Sequence, residues 1–110
     1  MKADPAPIFA AAFALSEWLL GRLGDDERVL AREICRESIA LLEEVALALK
    51  GRDVGARLDQ ADERLITLRL KLRLAAATGQ LTEAQLLFAL ESADGIGRQL
   101  GGWLRTLGPI

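Results

Sequence analysis

Four segments of this chain carry leucine and alanine at helical spacing, and no proline lies in the interior of any of them. The three prolines are at positions 5, 7 and 109, so only glycines punctuate the chain between its ends. Gly24, Gly51 and Gly79 separate the segments, and Gly108 with Pro109 follows the last one. The pattern predicts four helices, at about 6–23, 26–49, 53–78 and 82–106.

Polar residues stand where these helices would begin. Asp25 or Asp26 can cap the second helix and Asp53 the third, while Thr82 followed by Gln85 predicts a capping box on the fourth. Connections of roughly two to four residues make sequential helices antiparallel neighbours. The sequence therefore predicts a single domain over residues 1–110, an all-α, antiparallel up-down-up-down four-helix bundle.

The third helix carries the most regular apolar stripe, at alternating spacings of three and four: Leu58, Ala61, Leu65, Leu68, Leu72 and Ala75. Beside it runs a second row of Ile66, Leu70 and Leu74. The second helix also has two rows: Leu30, Ile34, Leu41, Val45 and Ala48 in one, and Cys35, Ile39, Leu42, Ala46 and Leu49 in the other. A bundle helix needs one apolar face, so the surplus favours self-association. A bundle with broad apolar faces is the alternative.

Residue types that carry chemistry are scarce. The chain has no histidine and one cysteine, so the commonest general base and metal ligand are missing and no intrachain disulfide can form. We therefore expect that the protein is not an enzyme and that it holds no cofactor and no metal ion. The single cysteine is typical of a reducing cytoplasm, and the position of Cys35 on an apolar stripe favours its burial. The apolar stretch from Ile8 to Leu20 is too short to span a membrane, so a core helix is expected there.

Charge is unevenly distributed along the chain. Residues 1–63 hold 8 basic and 13 acidic residues, whereas residues 64–110 hold 6 basic and 3 acidic ones. No acidic residue lies between Arg64 and Thr82, a stretch that contains Arg69, Lys71 and Arg73. Such a cluster would attract a phosphate backbone or an acidic partner, although pairing with the negative end of the helix dipole explains part of it.

The acids of the second helix have a plainer interpretation. Glu33 and Glu37 alternate with Arg32 and Arg36, an arrangement typical of exposed ion pairs on a solvated helix face. We expect them to be solvated rather than to bind a metal.

Glycines interrupt the fourth helix at Gly95, Gly97, Gly101 and Gly102, at a cost of about 1 kcal/mol each relative to alanine. Gly97 and Gly101 share a helix face, so close approach of another backbone is the favoured reason, ahead of fraying. A dinucleotide loop is excluded by the spacing. Trp103 is expected to cover the end of the bundle or to contact another subunit.

Two stretches carry a resemblance to a known family. The segments ADERLITLRLKLRLAAATGQLTEAQ (61–85) and IGRQLGGWLRTL (96–107) resemble the third helix, glycine turn and closing helix of the accessory variability determinant proteins of diversity-generating retroelements. The second segment is close to that family's IGR-x-(L/M)-(G/I)GW pattern, and the similarity covers about Leu15 to Leu107. The family is related to bundles encoded in ribosomal RNA intervening sequences.

The resemblance implies a pentameric ring of four-helix bundles with a positively charged surface. Such proteins associate with the retroelement's reverse transcriptase and template RNA, support mutagenic copying in bacteria, and are not enzymes. Arg69, Arg73, Arg98 and Arg105 stand where family members carry basic residues. With Arg64 and Lys71, which come from the basic cluster of the sequence itself, they make six residues expected to bind a nucleic acid or a partner.

Residues expected in the oligomer interface are the outer row of the third helix together with the glycine-notched end of the fourth: Ile66, Leu70, Leu74, Gly97, Gly101 and Trp103. The alternative function, which the acidic pI of about 5.2 favours, is a helical-bundle scaffold or protein-interaction module without nucleic-acid binding.

Overall fold

The computed structural model describes residues 6–107 and contains no strand within them. The helices are α1 (Pro7–Leu23), α2 (Val29–Leu49), α3 (Val54–Ala77) and α4 (Glu83–Thr106). Each helix packs against the next one in the chain, and α4 packs against α1, so the four enclose one core. The predicted all-α four-helix bundle is confirmed.

Ion pairs between α2 and α3 show how the two helices run. Arg57 pairs with Glu44, and Arg64 pairs with Glu37. As the chain advances along α3 its partners therefore move back along α2, as an antiparallel pair requires. Gly55 near the start of α3 likewise faces Leu107 after the end of α4.

The core follows the predicted stripes. Every member of the α3 stripe from Leu58 to Ala75 is completely buried. On α2 the first stripe is buried except for Leu30, which is half-buried. In the second α2 row Cys35 is buried, whereas Ile39 and Leu49 remain exposed.

Two helices end at glycines in a left-handed conformation. Gly51 follows α2 with φ +77° and Gly79 follows α3 with φ +78°. In each case the glycine N–H and the next N–H donate to carbonyls of the last helical turn, at Ala48 and Leu47 for α2. These closures satisfy carbonyl groups that would otherwise lack partners.

The helix starts match the predictions unevenly. The capping box of Thr82 and Gln85 is confirmed, since each side chain accepts a hydrogen bond from the backbone N–H of the other. Asp53 occupies the position before α3, but its φ is 45° and its side chain makes no capping hydrogen bond.

The predicted start of α2 near residue 26 is wrong, because the helix begins at Val29. The Asp26 carboxylate accepts hydrogen bonds from the Arg28 backbone N–H at 2.9 Å and from its guanidinium at 2.6 Å. The side-chain hydrogen bond from Arg28 is the main reason why the pKa of Asp26 falls to about 2. This local turn holds the chain out of the helix for three residues. Gly108 and Pro109, predicted to stop α4, lie outside the described residues.

Replacing two glycines by alanine should have opposite effects on stability. Gly79→Ala forces a side chain into the left-handed region and should lower the free energy of unfolding by about 1 kcal/mol. Gly21→Ala, inside α1, should raise it by about 0.5 kcal/mol. An ideal Cβ at either position meets no atom within 4 Å. The backbone conformation alone therefore determines whether alanine raises or lowers the free energy of unfolding. Urea unfolding of both variants measures the difference, and a loss of stability in Gly21→Ala would contradict the account.

Candidate nucleic-acid and partner interface

A buried carboxylate joins α2 to α3. Glu37 has only 4% of its surface exposed, and its oxygens accept hydrogen bonds from Thr67 Oγ1 at 2.6 Å, Lys71 Nζ at 2.8 Å and Arg64 Nη1 at 3.0 Å. Lys71 also donates to Glu33 at 3.3 Å. Two of the six predicted binding residues therefore make ion pairs inside the bundle.

These contacts keep Glu37 ionised. Burial raises its pKa, but the hydrogen bonds from Lys71, Thr67 and Arg64 lower it by more, so the net shift is downward. The Lys71 pKa is raised, because its hydrogen bond with Glu37 favours the charged ammonium group. The positive charges of Arg64 and Lys71 are thus paired with two carboxylates, those of Glu37 and Glu33.

The prediction that Glu37 belongs to a solvated face is wrong, and its partners are not the neighbouring arginines of α2. A signal for burial was present in the sequence. Glu37 lies three residues after Ile34 and four before Leu41, both completely buried members of the α2 stripe, so helical spacing places it at the edge of the core.

Arg69 is also paired, toward α4. Its Nε–H donates to Asp94 Oδ1 at 3.1 Å, and Nη2 donates to the Ala93 carbonyl at 3.4 Å. An ideal Cβ at Gly97 would lie 2.9 Å from Arg69 Nη2. The absence of a side chain at Gly97 therefore makes room for the arginine.

The expected close approach of another helix backbone is not found among residues 6–107. No backbone atom of another helix comes within 4 Å of the ideal Cβ position at Gly97 or Gly101. The atom nearest to that position at Gly101 belongs to Arg105 of the same helix, at 3.5 Å. A contact of these glycines with a second subunit stays a prediction.

The other three predicted binding residues are differently placed. Arg73, Arg98 and Arg105 are exposed and form no ion pair with any residue in 6–107. Arg98 and Arg105 are seven residues apart and therefore lie on the same outer face of α4. Arg98 also lines a groove between α3 and α4 with Arg69 and Asp94.

The second apolar row of α3 is open to solvent. Ile66, Leu70 and Leu74 expose 57%, 66% and 52% of their surfaces. Trp103 is half-buried and packs against the core near the end of α4, and its contact with another subunit stays a prediction. The three aliphatic residues have no such contact with the core.

Cys35 is buried, as expected. Desolvation by the surrounding side chains raises the pKa of its thiol. A thiol in that state is a weak nucleophile, so Cys35 is packed as a small apolar residue.

The acidic and cysteine side chains in residues 6–107 form no cluster of three or more that could hold a metal ion. No helix in the same range is both long and apolar enough to cross a membrane.

The chain matches no protein-family model, and neither the curated proteins nor the solved structures contain a significant match to it.

Replacing Glu37 by glutamine should destabilise the bundle by about 1–3 kcal/mol, because a charged acceptor of three hydrogen bonds is lost from a buried site. Since the pKa of folded Glu37 lies below its ordinary value of 4.5, this stabilisation is present above that pH and disappears as pH falls. Urea unfolding of wild type and Glu37→Gln between pH 3 and pH 7 measures the difference.

The matched control is Glu43→Gln, since Glu43 is exposed on α2 and forms no ion pair with residues 6–107. It should leave stability within about 0.5 kcal/mol of wild type. Equal effects of the two substitutions at pH 7 would contradict the assigned role of Glu37.

Proposed function

We propose that this protein is a non-catalytic accessory protein of a diversity-generating retroelement, an oligomeric bundle that binds the reverse transcriptase and the template RNA. The observation that carries the proposal is the outer face of α4, where Arg98 and Arg105 are exposed without an acid partner among residues 6–107. The sequence resemblance of 61–85 and 96–107 supports the same assignment.

Local charge rather than net charge must attract the RNA. The whole chain has a formal charge of −2, which would repel phosphates at long range. Within the bundle, the acids Glu33, Glu37 and Asp94 cancel the charges of Arg64, Lys71 and Arg69. The free guanidinium groups on α4 are therefore the contacts that we assign to phosphate oxygens, where they can form bidentate hydrogen bonds.

Arg73 is exposed and forms no ion pair within residues 6–107, but it lies in line with Ile66 and Leu70 along α3. Apolar residues so exposed favour burial against a protein rather than against RNA. We therefore assign this part of the surface to assembly. In the proposed function the bundles also associate, through other surfaces, into a cytoplasmic ring of five, as the resemblance implies.

A second candidate function is a scaffold or protein-interaction bundle without nucleic-acid binding. The cancellation of three of the six predicted basic residues by acids of other helices favours it. A reverse-transcriptase gene with paired variable repeats beside this gene would support the retroelement function, and the absence of both would favour the scaffold.

Reversing the two free charges of α4 should weaken RNA binding. We expect Arg98→Glu/Arg105→Glu to lower the affinity for a single-stranded oligouridine at least tenfold near 0.1 M salt. The dependence of log K on log salt concentration should become less steep by about 1.4, because two phosphate contacts are lost. Fluorescence anisotropy across a salt series measures both quantities.

The control is Arg32→Glu/Arg36→Glu, which changes net charge equally on α2, where both arginines are exposed. It should retain most of the affinity. Equal losses of RNA affinity in the two double variants would mean that net charge alone causes the effect. Unchanged RNA affinity in the α4 variant would overturn the assignment of Arg98 and Arg105 to phosphate contacts.

The mass of the protein in solution tests the proposed ring independently of RNA binding. Light scattering after size exclusion should show a mass that is a multiple of five 11.9 kDa chains, about 60 kDa for one ring. A monomer would contradict the ring and would leave the second apolar row of α3 without a partner.

A further inference from the structure

The outer face of α3 has a charge pattern that is complementary to itself. Glu63, Ile66, Leu70 and Arg73 follow at spacings of three, four and three, so they share one helix face. All four are exposed. Neither Glu63 nor Arg73 forms an ion pair with any residue in 6–107. We call these four residues the α3 seam.

The seam is symmetric about its midpoint. Ile66 and Leu70 lie two residues on either side of position 68, and Glu63 and Arg73 lie five residues on either side. At a rise of 1.5 Å per residue, the two charges are each about 7.5 Å from the midpoint. An antiparallel copy of α3 centred there therefore places Ile66 against the partner subunit's Leu70 and Glu63 against the partner subunit's Arg73, twice each.

A parallel copy would instead place Glu63 against Glu63 and Arg73 against Arg73, which repel. We propose that the α3 seam binds a second copy of this chain, antiparallel and related by a twofold axis. The two central aliphatic pairs exclude water, and the two outer ion pairs fix the register and the direction. This inference stands whether or not the protein binds RNA.

The twofold contact has two consequences for assembly. It is isologous, so it closes when two copies are joined. A ring of five must therefore form through other surfaces. The seam then joins two such rings, or joins two single chains into a dimer. The twofold axis is perpendicular to both α3 helices and to the line between them. It therefore leaves both copies of α4 on the same side, and Arg98 and Arg105 of the two chains share one face.

Charge exchange across the seam tests the proposal. Glu63→Arg places two arginines opposite each other at both ends of the seam, and Arg73→Glu places two glutamates there. Each variant alone should have half the mass of the wild-type assembly by light scattering, and self-association should weaken at least tenfold. An equimolar mixture of the two variants restores both opposite-charge pairs, so it should return to the wild-type mass.

The matched controls are Glu43→Arg and Arg36→Glu, equal charge changes at exposed positions of α2, which should keep the wild-type mass. Circular dichroism should show all the variants folded. A wild-type monomer, unchanged mass in either seam variant, or a mixture that stays at half mass would each overturn the proposal. Loss of RNA binding in Arg98→Glu/Arg105→Glu has no bearing on these masses, so the two proposals fail separately.

Discussion

The buried carboxylate of Glu37 is the interaction on which the arrangement of this bundle depends. It accepts hydrogen bonds from Arg64, Thr67 and Lys71, which cross from α3 to α2, between helices whose other buried residues are mostly apolar. Apolar contacts of that kind are stabilising but tolerate sliding by a turn. A carboxylate that loses its partners when the helices slide is costly, because it stays buried and charged. Glu37 thus selects one register of α3 against α2.

The same contacts decide which charges remain for a partner. A buried acid binds Arg64 and Lys71, and Asp94 with the Ala93 carbonyl binds Arg69. The arginines that remain exposed and unpaired lie on two different helices. Arg98 and Arg105 are on α4, and Arg73 is at one end of an apolar row on α3. The first pair suits phosphate, whereas Arg73 completes a pattern that fits a second copy of the helix. One basic region of the sequence therefore supplies ion pairs within the bundle and two separate exposed surfaces.

Local patterns in the sequence were enough to predict the bundle, because its core repeats every three or four residues within each helix. The α3 stripe and the Thr82 capping box show this. Contacts between residues distant in the chain could not be predicted in that way. Glu37 and Arg64 are 27 positions apart, and the role of Gly97 depends on a guanidinium from α3. The late start of α2 depends on Asp26, whose hydrogen bonds to Arg28 compete with the helix. The sequence pattern therefore located the basic residues of α3 and α4 but overestimated how many are free of ion pairs.

The basic residues of α3 and α4 thus divide into a paired group and a free group. NMR of the guanidinium Nε–H groups, with a single-stranded oligouridine added stepwise, tests this division most directly. The account predicts that the Arg98 and Arg105 resonances shift with added RNA, while those of Arg64 and Arg69 keep their positions because their ion pairs persist. Shifts at Arg64 and Arg69 that equal or exceed those of the α4 arginines would contradict it.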